Sequence, residues 1–341
     1  MRAVFQHGIR DIRSGEMPRP SPKKGEVLLR TRSVTICGSD IHAWGEGQVG
    51  GVKWSVPFVP GHEVSAVVED ANGADLAPGT PVVVDPAVSC GHCDMCQMGN
   101  FHLCRQVLFL DLPPIHGAMR ELFTWPAFRV FQVLGSIDPV EAPLLEPLSV
   151  AVHAAELTPA MHGAFVAVVG CGAIGLLTLQ MARLKGARMI VVADLVPERL
   201  ALAQQLGADQ VIQAGDGATA QMLLTATGGR GVDVAFEAAG PPEALRSCIE
   251  ATRPKGHITV VGVPSEDDYV LPAVPLRRHE LTLQFVRRQN ENFPEAIALV
   301  REGKVRLSPL LTHRFAMDRA QEAFELAERK GDGAVRVAVT F

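Results

Sequence analysis

The sequence has no surplus of positive charge: 32 Lys and Arg stand against 37 Asp and Glu, for a formal net charge of -5. Without a basic stripe to neutralise phosphates, nucleic acid is not an expected partner. Arg287-Arg288 is a late basic pair, and such pairs ordinarily sit on solvated faces. The first residues, Met1-Arg2-Ala3-Val4-Phe5-Gln6-His7-Gly8, lack the continuous apolar stretch of a secretory signal. One uncharged stretch is long enough to be mistaken for a bilayer span, Gly163 to Ala182. Glycines 163, 170, 172 and 175 interrupt it, and its pattern turns midway from β-like to helix-like. A buried strand, turn and helix is expected there rather than a membrane segment, and a cytoplasmic location follows. Internal repeats and low-complexity segments are also missing. A hydrophobic share of 47% with 20% charged residues is the balance of a folded globular chain.

Cysteine is present in a telling pattern. The seven residues are odd in number, and Cys90, Cys93, Cys96 and Cys104 crowd into one short segment. In a chain of this length that favours a metal site over a disulfide framework. The 341 residues suffice for two domains, each with its own core. Up to about residue 150, short apolar runs such as 26–30, 63–68 and 81–84 alternate with Gly and Pro, as in a barrel-like or sandwich-like β unit. From about 164 the rhythm changes. Candidate strands at 164–169, 189–193, 210–213, 232–237, 257–261 and 281–286 alternate with helical stretches such as 197–206 and 242–252. That pattern implies an α/β fold with a doubly wound parallel sheet. The tail is expected to hold a helix at 293–302 and a last strand at 334–341.

Gly170-Cys171-Gly172-Ala173-Ile174-Gly175 follows the first of these strands and opens an apolar helix. Gly170 allows the tight turn, Gly172 admits a pyrophosphate close to the backbone, and Gly175 lets helix and strand pack together. The phosphates would rest on the positive end of the helix, against Ala173 and Ile174. Asp194 closes the next strand, where a carboxylate accepts hydrogen bonds from both ribose hydroxyls and repels a 2′-phosphate. NAD is therefore expected over NADP; the bland alternative is that Asp194 only caps the next helix. Arg199 is a candidate for covering the adenine, or else an ordinary helix-surface residue.

The spacing Cys90-x2-Cys93-x2-Cys96-x7-Cys104 supplies four soft ligands. Four thiolates complete a tetrahedral shell round zinc with no open position, so the site is structural. The spacing alone also admits an iron–sulfur cluster. A nucleic-acid-binding zinc ribbon is the other rival, but Arg105 is the only basic neighbour.

Further residues acquire meaning as a set. Cys37-Gly38-Ser39-Asp40-Ile41-His42, Gly61-His62-Glu63, the four-cysteine segment, Glu146-Pro147-Leu148-Ser149-Val150-Ala151-Val152-His153-Ala154, the glycine motif, Asp194 and Leu311-Thr312-His313-Arg314-Phe315 occur in that order. The order resembles the zinc-dependent medium-chain dehydrogenase/reductase superfamily over essentially the whole chain, and most of all its sorbitol (polyol) and L-idonate 5-dehydrogenases. The resemblance implies a GroES-like β-rich catalytic domain at 1–150 and 288–341 and a Rossmann NAD-binding domain at 151–287. It implies two zinc ions per subunit, the second held directly or through water by Cys37, His62 and Glu146, with Glu63 as a close or exchangeable fourth ligand. Such a metal lowers the pKa of an alcohol substrate, whose hydride passes to the nicotinamide. Ser39 and His42 match the positions of a proton relay that runs by way of the cofactor ribose. Asp40 is implied to orient His62. Arg288, or Arg287 if the register slips by one, is implied to reach a small polyhydroxylated substrate, and an Arg suits hydroxyls and carboxylates alike. A homodimer or homotetramer is implied by likeness only.

The chain departs from the superfamily at His116-Gly117-Ala118-Met119-Arg120-Glu121-Leu122, where a GGFAEY-like stretch is usual. That bears on the pocket wall and so on the substrate. The expected reaction is oxidation of a secondary hydroxyl of a polyol or sugar acid by NAD. L-threonine or simple alcohol dehydrogenation is the alternative within the enzymes, and an NAD-binding regulatory protein the alternative outside them.

Overall fold

The change of rhythm in the sequence corresponds to two separate hydrophobic cores. In the computed structural model, which describes residues 1–341 apart from Gly50, Leu134, Ser136, Ala160, Asp216 and residues 265–267, the chain packs as two units. One comprises Met1–Glu146, Phe293–Gly303 and Leu311–Phe341; the other comprises Pro147–Asn292 and Lys304–Leu310. The limits read from the sequence fall at 150/151 and 287/288.

The first unit is built on a seven-stranded sheet. Its order is Val130–Gln132, Pro81–Val84, Glu63–Asp70, Glu26–Thr35, Arg336–Thr340 and Leu311–Ala316, with Leu122–Pro126 also pairing with Glu26–Thr35. Val27, Leu29, Val34, Val64, Val68 and Val339 fill the core from the three central strands. Register is what matters for chemistry. Thr35 lies opposite Glu63 on one side and Ala338 on the other, so the ends of three distant segments meet two residues before Cys37.

Cys37 then caps the helix Gly38–Glu46, with its backbone extended at φ -79° and ψ 160°. The Asp40 carboxylate accepts the Cys37 backbone N–H at 2.7 Å, which satisfies a donor the helix would otherwise leave open. Trp44 anchors the helix in the core against Phe324, ring centroids 5.7 Å apart. The four-cysteine segment forms a small lobe carrying the helix Asp94–Gln97 and the paired strands Ala87–Val88 and Leu108–Phe109.

The second unit holds a six-stranded sheet, parallel throughout, in the order Gln210–Gln213, Met189–Asp194, Phe165–Val169, Val232–Glu237, Thr252–Val260 and Thr282–Phe285. Strand order reverses beside Phe165–Val169, the point at which such sheets open a crevice for ligands. The helices Pro197–Gln205 and Pro242–Ala251 end one residue short of their expected limits. The fifth strand begins earlier than expected. An irregularity between Val232 and Val234 lets Thr252 pair as well as His257, a detail that residue alternation does not carry. The last strand is shorter than expected, Arg336–Thr340, and before it Gly331–Gly333 makes a turn with Asp332 at positive φ. Gly163–Ala182 is divided between the strand Phe165–Val169 and the helix Ala173–Leu184. No helix among the described residues is long and apolar enough to cross a membrane.

Candidate functional site

Three constellations of side chains carry chemistry, two in the first unit and one in the second.

In the cysteine lobe, Cys90, Cys93, Cys96 and Cys104 bring their sulfurs within 4.8 Å of one another. The Cys90–Cys96, Cys93–Cys96 and Cys93–Cys104 separations are 4.0, 3.5 and 3.9 Å. Four sulfurs about 2.3 Å from one tetrahedral ion lie about 3.8 Å apart, so the set fits zinc without rearrangement. Cys104 Sγ accepts the backbone N–H groups of Cys90 at 3.2 Å and Gln106 at 3.4 Å. Backbone donors from Arg105 and Cys96 hold the Cys93 thiol down to about 6, while burial pushes Cys96 up to about 11. Arg105 is paired with Asp94 through two contacts of 2.7 Å.

The second constellation gathers at the sheet ends. Cys37, His62 and Glu63 place one donor atom each within 4.8 Å of the others. A thiol, an imidazole and a carboxylate form a mixed set that suits zinc. Glu63 is fully buried; its Oε1 accepts from Arg336 Nη2 at 2.7 Å and its Oε2 from Thr35 Oγ1. Burial works against the Arg336 charge, but Glu63, with Cys37 and Glu146, raises its pKa. Glu146 lies on the first turn of the helix Leu145–Leu157 and outside the group of three. It is buried, which lifts its pKa to about 7, with His62 opposing and Glu63 adding to the rise.

The orientation of His62 differs from the expectation. Nδ1 donates to Asp111 Oδ2 at 2.9 Å, and Asp40 Oδ1 stands 3.9 Å away. Asp40 caps the helix through Oδ2, and the carboxylate nearer to Nδ1 is that of Asp111. This arrangement leaves Nε2 as the nitrogen for a metal. Ser39 is half-buried on the first turn of the Gly38–Glu46 helix. His42, one turn on, donates from Nδ1 to Glu46 Oε1 at 2.9 Å, its side chain 26% exposed.

Thr35, Asp111 and Arg336 were not found by sequence reasoning. The available signals were a lone Asp inside the apolar run Leu108-Phe109-Leu110-Asp111-Leu112 and a lone Arg heading the apolar strand Arg336–Thr340.

The third constellation is the glycine turn of the second unit. Gly170 has φ +103°, and a Cβ there would come within 2.8 Å of Ala238 C and Ala239 N. A Cβ on Gly175 would sit 1.8 Å from Gly170 O. Gly172 is different: its φ is -67°, and a Cβ would meet nothing within 4 Å. Internal packing therefore demands two of the glycines but not the third, and the space at Gly172 is a cradle that fits a pyrophosphate against the helix begun by Ala173 and Ile174.

Asp194 Oδ2 accepts the backbone N–H of Cys171 and Oδ1 that of Val196 at 2.8 Å. It thus ties the glycine turn to the loop that leads into the next helix, whose N-cap is Val196. Arg199 is buried on that helix, and its charge opposes the rise that burial imposes on the Cys171 thiol. Glu237, at the end of the fourth strand, accepts the N–H groups of Ala239 at 2.8 Å and Gly240 at 2.7 Å, bracing the loop that faces Gly170. Of the late arginines, Arg287 is exposed and Arg288 half-buried with φ +57°.

Comparison with known proteins agrees with this geometry. Residues 23–134 match the alcohol dehydrogenase GroES-like domain and residues 173–302 the zinc-binding dehydrogenase domain. Sorbitol dehydrogenase of Bacillus subtilis is 33% identical over 341 residues, covering 99% of this chain and 97% of that protein. The crystal structure of L-idonate 5-dehydrogenase from Escherichia coli superposes with a TM-score of 0.90 at 27% identity, covering 100% of this chain and 98% of the other. A short chain alcohol dehydrogenase of Escherichia coli CFT073, complexed with NADH, reaches 0.90 at 26% identity over 100% and 99% of the two chains. The chain belongs to the zinc-binding alcohol dehydrogenase family, with its GroES-like and dinucleotide-binding halves both represented.

Proposed function

We propose that this protein oxidises a secondary hydroxyl of a polyol or sugar acid to the ketone with NAD, using zinc at the Cys37–His62–Glu63 cluster. The convergence of those three donors within 4.8 Å carries the reading, and the likeness to a sorbitol and an L-idonate dehydrogenase supports the substrate class. Zinc supplies a Lewis acid that lowers the pKa of an alcohol oxygen, and the oxidised nicotinamide supplies the hydride acceptor. Cys37, His62 and Glu63 would hold the metal, with Glu146 buried beside them. Cys90, Cys93, Cys96 and Cys104 would hold a second, structural ion. Ser39 would take the substrate proton as it gives up its own hydroxyl proton. His42, partly exposed and bonded to Glu46, would take that second proton, relayed through the bound cofactor's ribose, and release it to water. Gly172, in the turn that Gly170 and Gly175 shape by packing, leaves the space that cradles the cofactor phosphates, Asp194 selects NAD over NADP, and Arg199 is the candidate for the adenine side. Arg288 is the substrate-binding arginine, since Arg287 points to solvent. A cytoplasmic homodimer or homotetramer is the assembly proposed, and light scattering after gel filtration reads its oligomeric state directly.

A panel of polyols and aldonates tested for NADH formation is the decisive experiment, with metal analysis alongside. Polyhydroxylated substrates should outperform ethanol and L-threonine in kcat/KM, and each chain should hold two zinc ions. A preference for threonine or simple alcohols would redirect the substrate class, and one zinc per chain would favour a non-catalytic NAD-binding protein. Ser39→Ala should lower turnover by about 10²-fold or more while zinc content stays the same.

A further inference from the structure

The imidazole of His62 has two carboxylates near it and is bonded to one. Asp40 Oδ2 accepts the Cys37 N–H at 2.7 Å as the reciprocal member of the helix cap, and its other oxygen, Oδ1, stands 3.9 Å from Nδ1, beyond hydrogen-bond reach. Asp111 comes from a separate segment and meets Nδ1 at 2.9 Å, its side chain 3% exposed. That segment touches the ring twice, because Phe109 packs on it with centroids 5.3 Å apart at 52°. Asp111 also adopts φ +73°, a left-handed conformation that only a few residue types tolerate.

We propose that Asp111, rather than Asp40, is the positioning residue of His62. By accepting the Nδ1 proton it fixes the tautomer and turns Nε2 toward Cys37 and Glu63, while Phe109 holds the plane of the ring. Asp40 is thereby left to fix the backbone of Cys37, so the two carboxylates each place one ligand. The inference rests on the reading of Cys37, His62 and Glu63 as a zinc centre. Its physical basis is that a carboxylate behind a ligating histidine sets ring orientation and increases the basicity of the ligating nitrogen.

Two substitutions separate this role from a conformational one, because Asn and Gly both tolerate positive φ. Asp111→Asn removes the charge, and Asp111→Gly removes the carboxylate altogether. Zinc affinity is measured on the purified full chain by competition with a chromophoric chelator, and the four-cysteine ion serves as an internal control for folding. Both variants should retain that ion, while affinity at the Cys37 centre falls about 10- to 100-fold. Asp40→Asn should weaken it less than either. An affinity within about twofold of the parent in both Asp111 variants, or a larger loss in Asp40→Asn, overturns the proposal. A parent protein that binds only one zinc per chain overturns the zinc-centre reading and this proposal together, whereas two ions with unaffected Asp111 variants overturn the role of Asp111 alone.

Discussion

Arg336 shows how one residue can hold the proposed metal cluster in place without belonging to it. Glu63 is fully buried, and its charge is met by the guanidinium at 2.7 Å. A buried ion pair contributes little net stability, but breaking one leaves a charge in a medium that cannot solvate it. Arg336→Met should therefore cost about 3–5 kcal/mol in urea denaturation. Adding Glu63→Gln should recover much of that loss, and a single-variant cost near zero would show that the pair is not needed. Cys37, His62 and Glu63 were legible in the sequence because each stands in a short motif whose order along the chain is distinctive. Asp111 and Arg336 were not. A lone charge at the margin of an apolar run reads as an edge residue, and only its surroundings reveal that it is enclosed.

At the scale of elements, the glycine turn divides into positions fixed by packing and one left open. Gly175→Ala would force a Cβ to within 1.8 Å of Gly170 O, so it should destabilise the fold as well as weaken cofactor binding. Gly172→Ala meets no internal obstacle. Its thermal stability should match the parent within about 0.5 kcal/mol, while NADH affinity, followed by fluorescence titration, falls about tenfold or more, equivalent to ~1.4 kcal/mol. Identical behaviour of the two variants would refute the division.

The opposite end of the same sheet is tied together by Asp233. Its carboxylate accepts from Arg230 at 2.7 and 3.0 Å, from the Phe165 N–H at 2.8 Å and from Arg253 Nε at 2.5 Å, linking the starts of three adjacent strands. Burial alone would raise its pKa, but these donors outweigh burial and hold it below the ordinary carboxylate range. A pKa lower in the folded than in the unfolded chain, where it is about 3.9, stabilises above that value, and the contribution is lost as pH falls through and below it. Asp233→Asn should lower stability at pH 7 and flatten its decline below about pH 4. An unchanged acid limb would remove Asp233 from this role.

For the whole molecule, each unit has its own buried core and its own proposed ligand. NAD at about 100 times its Kd should stabilise by about 2.7 kcal/mol, with the gain in hydrogen-exchange protection concentrated in 147–292. A zinc chelator should instead release protection around Cys37, His62 and the cysteine lobe. Equal responses of both units to either treatment would contradict that assignment. The sequence by itself determined what is local: the strand, glycine turn and helix at 165–184, the parallel alternation after it, and a four-thiol lobe whose ligands lie within one short loop. The tertiary structure alone decided which distant atoms meet. Glu63 and Arg336 are 273 residues apart, and His62 and Asp111 are 49 apart. Periodicity records which face of a strand is buried, whereas strand register and loop path, which bring such partners together, are set by packing between segments that share no local signal.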